Sequence, residues 1–226
     1  MNRPLVHRAG KAIRRNTVES GDLGGRSTNG NDLGGRFRAI MARSLSQGAG
    51  LTGIITPLPA ITLVLGGARS GKSRYAEEVL DRHTGARTYV ATAEIRDAEM
   101  AARVQLHRDR RDPDWRLVEE PMALARTIVA ETEKGAAVLV DCLTLWLTNV
   151  LLAEKDVPAE IDALEEALGQ CGGPLIFVAN EVGLGIVPDN KLARDFRDHA
   201  GRLNQRIAAR ADHVLFVAAG LPLILK

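Results

Sequence analysis

Each thing this chain is short of closes off a class of protein. Its 226 residues include only two cysteines, Cys142 and Cys171, with neither metal-ligand spacing nor the pattern of a disulfide framework. They read as reduced thiols in a cytosolic protein. No apolar run approaches the ~18 residues that a membrane-spanning helix needs. Charge of one sign is not in excess either: 30 Lys and Arg stand against 28 Asp and Glu, a formal net charge of +2. The basic residues are interleaved with acids and form no stripe, so no nucleic acid is expected as a partner. What remains is a chain of ordinary apolar content, long enough for one α/β domain that folds on its own core.

Residues 1–50 also lack apolar periodicity. They are rich in Gly, Arg, Asn and Ser, and Asp22-Leu23-Gly24-Gly25-Arg26 recurs as Asp32-Leu33-Gly34-Gly35-Arg36. Two copies are too few for a repeat architecture. Glu19, Asp22 and Asp32, with no amphipathic stretch, argue against a transit peptide. The expectation is a disordered extension over 1–58, or a start placed too early with Met41 as the alternative initiator, followed by a folded domain over 59–226.

The stretch that organises the rest is Gly66-Gly67-Ala68-Arg69-Ser70-Gly71-Lys72-Ser73, between the apolar run Ile61–Leu65 and a helical pattern over Arg74–Leu80. Strand, glycine-rich turn and helix in that order are the context of a phosphate-binding P-loop. Glycines let successive N–H groups turn inward toward phosphate oxygens. The helix aims its positive end at the same anion. Lys72 reaches the β/γ-phosphates, and the Ser73 hydroxyl is a ligand for Mg²⁺. The octet predicts a nucleotide-binding protein.

Further along, Arg87–Ala91 reads as a strand ending at Ala91-Thr92-Ala93, at the strand end where an open α/β sheet places ligands. Thr92 stands there either at the edge of the site or as an ordinary strand-exit residue. Asp97 N-caps a helical pattern carrying Met100, Val104 and His107, followed by Arg108-Asp109-Arg110-Arg111. On the residues alone, His107 is either a surface or packing residue or a functional group. Trp115–Glu119 reads as a short strand and Pro121–Glu133 as a helix. Ala137–Asp141, four buried-strand residues ending in an acid, fits a strand whose carboxylate helps hold Mg²⁺ opposite the P-loop. The competing role for Asp141 is to cap the next helix. Helices are expected over Leu143–Ala153 and Pro158–Gln170, then a buried strand over Pro174–Ala179. The glycine-punctuated loop Asn180–Pro188 follows, then a helix over Asn190–Ala211, a strand over His213–Ala219 and an edge strand at Leu223–Leu225. This alternation predicts an α/β, P-loop NTPase-like fold, a mostly parallel sheet with helices on both faces.

Five blocks together resemble the bifunctional adenosylcobinamide kinase/adenosylcobinamide-phosphate guanylyltransferases of cobalamin biosynthesis. They are Gly66–Ser73; Glu99-Met100 with Arg103-Val104 and His107; Val140-Asp141-Cys142-Leu143-Thr144; Asn180-Glu181-Val182-Gly183 with Gly185-Ile186-Val187-Pro188; and Arg197-Asp198 with Ala200-Gly201-Arg202 and Asn204-Gln205. The resemblance spans about residues 60–226 and leaves the N-terminal extension unexplained. It implies phosphorylation of adenosylcobinamide by ATP or GTP, then transfer of GMP from GTP to the resulting phosphate through a GMP–histidine intermediate on His107. It further implies nucleotide contacts at Ala91, Thr92 and Ala93, at Arg108, Asp109, Arg110 and Arg111, and at Glu119 and Asp141, in a cytoplasmic homotrimer. A carboxylate at Glu119 suits the guanine N1 and N2 donors. A neutral imidazole can attack phosphorus without a separate base. Two competing functions are a single-activity P-loop kinase for another small alcohol, with His107 incidental, and a nucleotide-switched binding module. How one nucleotide serves both the P-loop and His107 stays open: the helix moves, or the nucleotide binds in two ways.

Overall fold

The computed structural model describes residues 58–94 and 114–226. The helix expected from Asp97, with His107 and the Arg108–Arg111 run, lies outside them, as does the N-terminal extension apart from its last residue. Among the described residues, seven strands form one sheet: β1 (Ile61–Gly66), β2 (Arg87–Ala91), β3 (Trp115–Glu119), β4 (Ala137–Asp141), β5 (Leu175–Asn180), β6 (His213–Ala218) and β7 (Leu221–Ile224). Their order is β3-β2-β4-β5-β1-β6-β7, with every pair parallel except β6–β7. The edge strand starts two residues earlier than the sequence suggested. Ala219 and Gly220 both take positive φ, 51° and 81°, which is the backbone of a tight hairpin turn.

The helices among the described residues are α1 (Lys72–Leu80), α2 (Leu124–Glu133), α3 (Leu143–Leu152), α4 (Val157–Leu168) and α5 (Lys191–Arg210). Helix α1 starts at Lys72, ahead of the expected Arg74, because the P-loop feeds straight into its first turn, where Tyr75 N–H donates to Gly71 O at 2.9 Å. Asp156 caps α4 by accepting from Ala159 N–H at 3.1 Å, and Asn190 caps α5 by accepting from Ala193 N–H at 2.7 Å.

Alternation along the strands divides the sheet into two faces. Leu63, Leu65, Val138, Val140, Leu175 and Phe177 pack against Leu124 and Ile128 of α2, Trp146 and Leu147 of α3, Ile161 and Leu164 of α4, and Leu203 and Ile207 of α5. The opposite face buries Val64, Tyr89, Leu139 and Val178 on the side of Tyr75, Ala76 and Leu80 of α1. Helices do lie on both faces, though unequally: among the described residues four take one side and α1 the other. Each fully buried Leu or Ile contributes about 1.5–3 kcal/mol, so the four-helix face holds the strand ends in register.

Candidate active site

The carboxyl ends of β1, β5 and β4 stand side by side, with Gly66 opposite Asn180 and Asp141 opposite Val178. The P-loop leaves β1 through Gly66, where an added Cβ would lie 2.5 Å from Val217 O and 2.6 Å from Ser70 Oγ. Only glycine fits so close to a backbone oxygen. Arg69 takes φ 56° and Gly71 φ 98°, and these left-handed residues curl the loop. The β6–β7 turn backs it: Gly220 N–H donates to Ser70 O at 2.8 Å, and the Gly220 Cα lies 3.2 Å from where a Cβ on Gly71 would stand.

Lys72 folds back across this loop, its Nζ donating to Gly67 O at 3.0 Å. Burial pushes its pKa down, while Cys142 and the Asp141 carboxylate act the other way. Asp141 therefore lies near enough for its charge to act on the Lys72 ammonium.

Asp141 does not cap the helix that follows it. The N-cap of α3 is Cys142, with no side-chain cap bond, and Asp141 Oδ2 instead accepts from the Tyr89 hydroxyl at 3.0 Å. Thr92 braces the same turn from behind. Its hydroxyl accepts from Cys142 N–H at 2.8 Å and donates to Cys142 O at 2.7 Å, while its own carbonyl accepts from Asn149 Nδ2 at 2.8 Å. The Thr92 side chain is fully buried and committed to the backbone, so it acts on the site by fixing Asp141. The next residue, Cys142, is also buried, and burial raises its thiol pKa to about 11.

The residues expected from the sequence separate into two groups. Gly66–Ser73 and Asp141 gather around the ends of β1 and β4. Ala91 pairs with Asp141 on one side and Glu119 on the other, forming a row of strand ends across β4, β2 and β3. Strands β2, β4 and β5 separate Glu119 from the P-loop strand, so at ordinary strand spacing it is ~19 Å away. Tyr89 and the β6–β7 turn escaped the sequence reading. Tyr89 looks like an ordinary strand aromatic, and its partner is 52 residues away.

A phosphate cradle at the end of one parallel strand, a lysine folded over it and a braced carboxylate two strands away define a P-loop nucleotide-binding α/β protein. Residues 62–225 match the family described as cobinamide kinase / cobinamide phosphate guanyltransferase. The bifunctional adenosylcobalamin biosynthesis protein CobP of Pseudomonas aeruginosa is 51% identical over 166 residues, covering 73% of this chain and 96% of that protein. The bifunctional adenosylcobalamin biosynthesis protein CobU of Salmonella typhimurium is 43% identical over 179 residues, covering 73% and 98%. The flagellar accessory protein FlaH of Methanocaldococcus jannaschii is a distant likeness at 14% identity and TM-score 0.46, covering 81% of this chain and 84% of that one. The chain belongs to the cobinamide kinase / cobinamide phosphate guanyltransferase family.

Proposed function

We infer that this protein phosphorylates the aminopropanol hydroxyl of adenosylcobinamide with ATP or GTP and then transfers GMP from GTP to that phosphate, releasing pyrophosphate. The observation that supports it most is the P-loop with Lys72 folded over it and Asp141 at a strand end two strands away, in a chain of this family. In the first step the P-loop amides and Lys72 stabilise charge on the transferring phosphate. In the second, a His107 imidazole nitrogen attacks the α-phosphorus of GTP as the bond to pyrophosphate breaks. The acceptor's phosphate oxygen then displaces the imidazole. The row formed by Glu119, Ala91 and Asp141 suits a guanylate lying across the strand ends, with Arg108 and Arg111 on its phosphate or sugar.

A Mg²⁺ ion fits the residues present. The Ser73 hydroxyl and Asp141 carboxylate are hard oxygen donors, and no cluster of three or more His, Cys, Asp or Glu able to hold a metal occurs among the described residues. That donor set suits an ion carried largely by phosphate oxygens and water. When bound with the nucleotide, Mg²⁺ neutralises charge on the phosphates. Tyr89 and Thr92 hold Asp141 where such an ion would be met. A cytoplasmic location fits the nucleotide substrates and two free thiols. Assembly as a homotrimer follows from the family resemblance. The apolar edge strand, with Leu221, Leu223 and Ile224 exposed, offers surface for it, and sedimentation equilibrium measures it.

The test is to incubate the protein with GTP labelled at the α-phosphate and Mg²⁺, denature it and look for retained label, with His107→Ala alongside. Acid-labile, alkali-stable label that disappears in the variant is the expected result. A folded, GTP-binding protein that takes up no label would remove the covalent step.

A further inference from the structure

We propose that the exit of β5, residues Asn180–Pro188, is the acceptor subsite, with Asn180 Oδ1 at its polar end and Leu184, Ile186 and Val187 as its apolar face. The inference rests on the substrate reading above and goes further by assigning residues to the corrinoid.

Asn180 sits opposite Gly66 in the ladder, at the threshold of the P-loop. Strand alternation puts its side chain on the same sheet face as Val178, and Val178 is level with Asp141. Asn180 therefore projects between the phosphate cradle and the carboxylate. Its backbone is fully engaged: the N–H donates to Thr144 Oγ1 at 2.7 Å, and the carbonyl accepts from Asn204 Nδ2 at 3.3 Å. Yet its side-chain Oδ1 is buried with no donor. A buried carbonyl oxygen in that state is costly unless something else supplies the N–H or O–H. The acceptor's alcohol is such a donor. Its oxygen forms a bond to the γ-phosphorus as the bond from phosphorus to the β-phosphate oxygen breaks. The nucleoside diphosphate leaves with the electron pair, and the hydroxyl proton passes to an oxygen of the transferred phosphate. Asn180, accepting the O–H, turns a lone pair of the alcohol toward phosphorus.

The loop beyond is tied down at both ends. Glu181 N–H donates to Gly66 O at 3.1 Å, and the Glu181 carboxylate accepts from Gly183 N–H at 2.7 Å. At the far end, the Arg194 guanidinium donates to Pro188 O at 3.0 Å and Asp189 O at 2.6 Å. Between these ties Leu184 is 81% exposed, Ile186 97% and Val187 57%. Three large apolar side chains held out to water beside a phosphate cradle call for an apolar ligand. A cobinamide offers such a surface on part of its rim: methyl groups stand between the amide arms of the macrocycle, and one of those arms ends in the alcohol. The arm takes the polar end of the loop and the macrocycle the apolar one.

The experiment uses the full-length protein with a non-hydrolysable ATP analogue and follows adenosylcobinamide binding by equilibrium dialysis and corrin absorbance. Ile186→Ser, at an exposed position that leaves folding intact, is expected to weaken corrinoid binding about tenfold, the worth of one buried aliphatic side chain. Nucleotide affinity, read with a fluorescent ATP analogue, stays unchanged. Asn180→Ala is expected to lower kcat for phosphorylation at least about tenfold, as loss of an orienting hydrogen bond does, with both ligands still bound. Unchanged corrinoid affinity in Ile186→Ser overturns the apolar face. So does a loss of assembly in sedimentation without a change in corrinoid affinity, which would make the loop a contact between copies. Weakened nucleotide binding in Asn180→Ala overturns the polar end. A wild-type protein that binds nucleotide but no adenosylcobinamide overturns the substrate reading as well, a failure visible before any variant is made.

Discussion

At the scale of single residues, the strand ends of the site are held by side chains that brace them from behind. Tyr89 donates to Asp141, and Thr92 grips both sides of the Cys142 peptide. On the reading proposed above, in which Asp141 helps hold Mg²⁺, such groups fix the direction of a metal ligand, and their removal commonly lowers metal affinity 10- to 100-fold. Tyr89→Phe keeps the ring and its edge-on contact with Trp115 while deleting the donor. We expect it to weaken Mg²⁺ binding about tenfold in the presence of a non-hydrolysable nucleotide, measured by calorimetric titration, with metal-free nucleotide affinity unchanged. Unaltered Mg²⁺ affinity would separate Tyr89 from the metal. Cys142 gives a different prediction, in pH. Its thiol is raised from 9.0 to about 11 in the folded protein. Both states are protonated below pH 9, and from there to about 11 the unfolded thiol ionises while the folded one does not. Stability should therefore fall across that window, by roughly 2–3 kcal/mol in all. Cys142→Ala should flatten this part of the alkaline limb in urea titrations. A slope identical to wild type would show that the thiol does not titrate as its burial requires.

At the scale of elements, the cradle belongs to two parts of the chain that are far apart in sequence. The loop after β1 supplies the amides, and the end of β6 with the turn after it supplies the floor, through Val217 O and Gly220. Two neighbouring glycines should then behave differently. Gly66→Ala drives a Cβ to 2.5 Å from a backbone oxygen, whereas a Cβ on Gly67 meets nothing within 4 Å. Chemical denaturation should show Gly66→Ala destabilised by about 1–3 kcal/mol, and Gly67→Ala within about 0.5 kcal/mol of wild type. Equal losses would mean that the turn yields. The strand–turn–helix of the P-loop was legible because its signal is local: a strand, a fixed glycine spacing and a helix in consecutive residues. So was Asp141, at the end of a run of buried-strand residues. Tyr89 with Asp141, and Gly220 with Ser70, were not legible, because each pair meets only after strands distant in sequence become neighbours. Nothing in the sequence near Tyr89 distinguishes a ring that only packs from one whose hydroxyl aims a carboxylate. The sheet order that leaves Glu119 three strands short of the P-loop strand was hidden for the same reason.

At the scale of the whole molecule, the question is how much of the chain the activity needs. The first strand is closed off by the domain itself. Leu175 N–H donates to Ala60 O at 2.8 Å, and Ile61 N–H donates to the Asp212 carboxylate at 2.9 Å. The family match begins at residue 62. The match to the Pseudomonas aeruginosa relative takes in 96% of that protein with 73% of this chain. The backbone groups that open the sheet thus find partners within 59–226, and tolerance to truncation follows from where such bonds are made. A protein lacking residues 1–58 should unfold cooperatively, with a midpoint within about 4 °C of the full chain, the shift that ~1 kcal/mol produces in a domain of this size. Its turnover of adenosylcobinamide should match that of the full-length enzyme. Brief trypsin treatment of the full chain should likewise cut first among the arginines before residue 59 and leave a core that still binds nucleotide. Calorimetry, a kinase assay and mass spectrometry of the digest are the measurements. Loss of turnover with folding and nucleotide binding intact would give the extension a part in catalysis, in acceptor capture or in assembly. Sedimentation of the shortened protein separates the last of these from the first two.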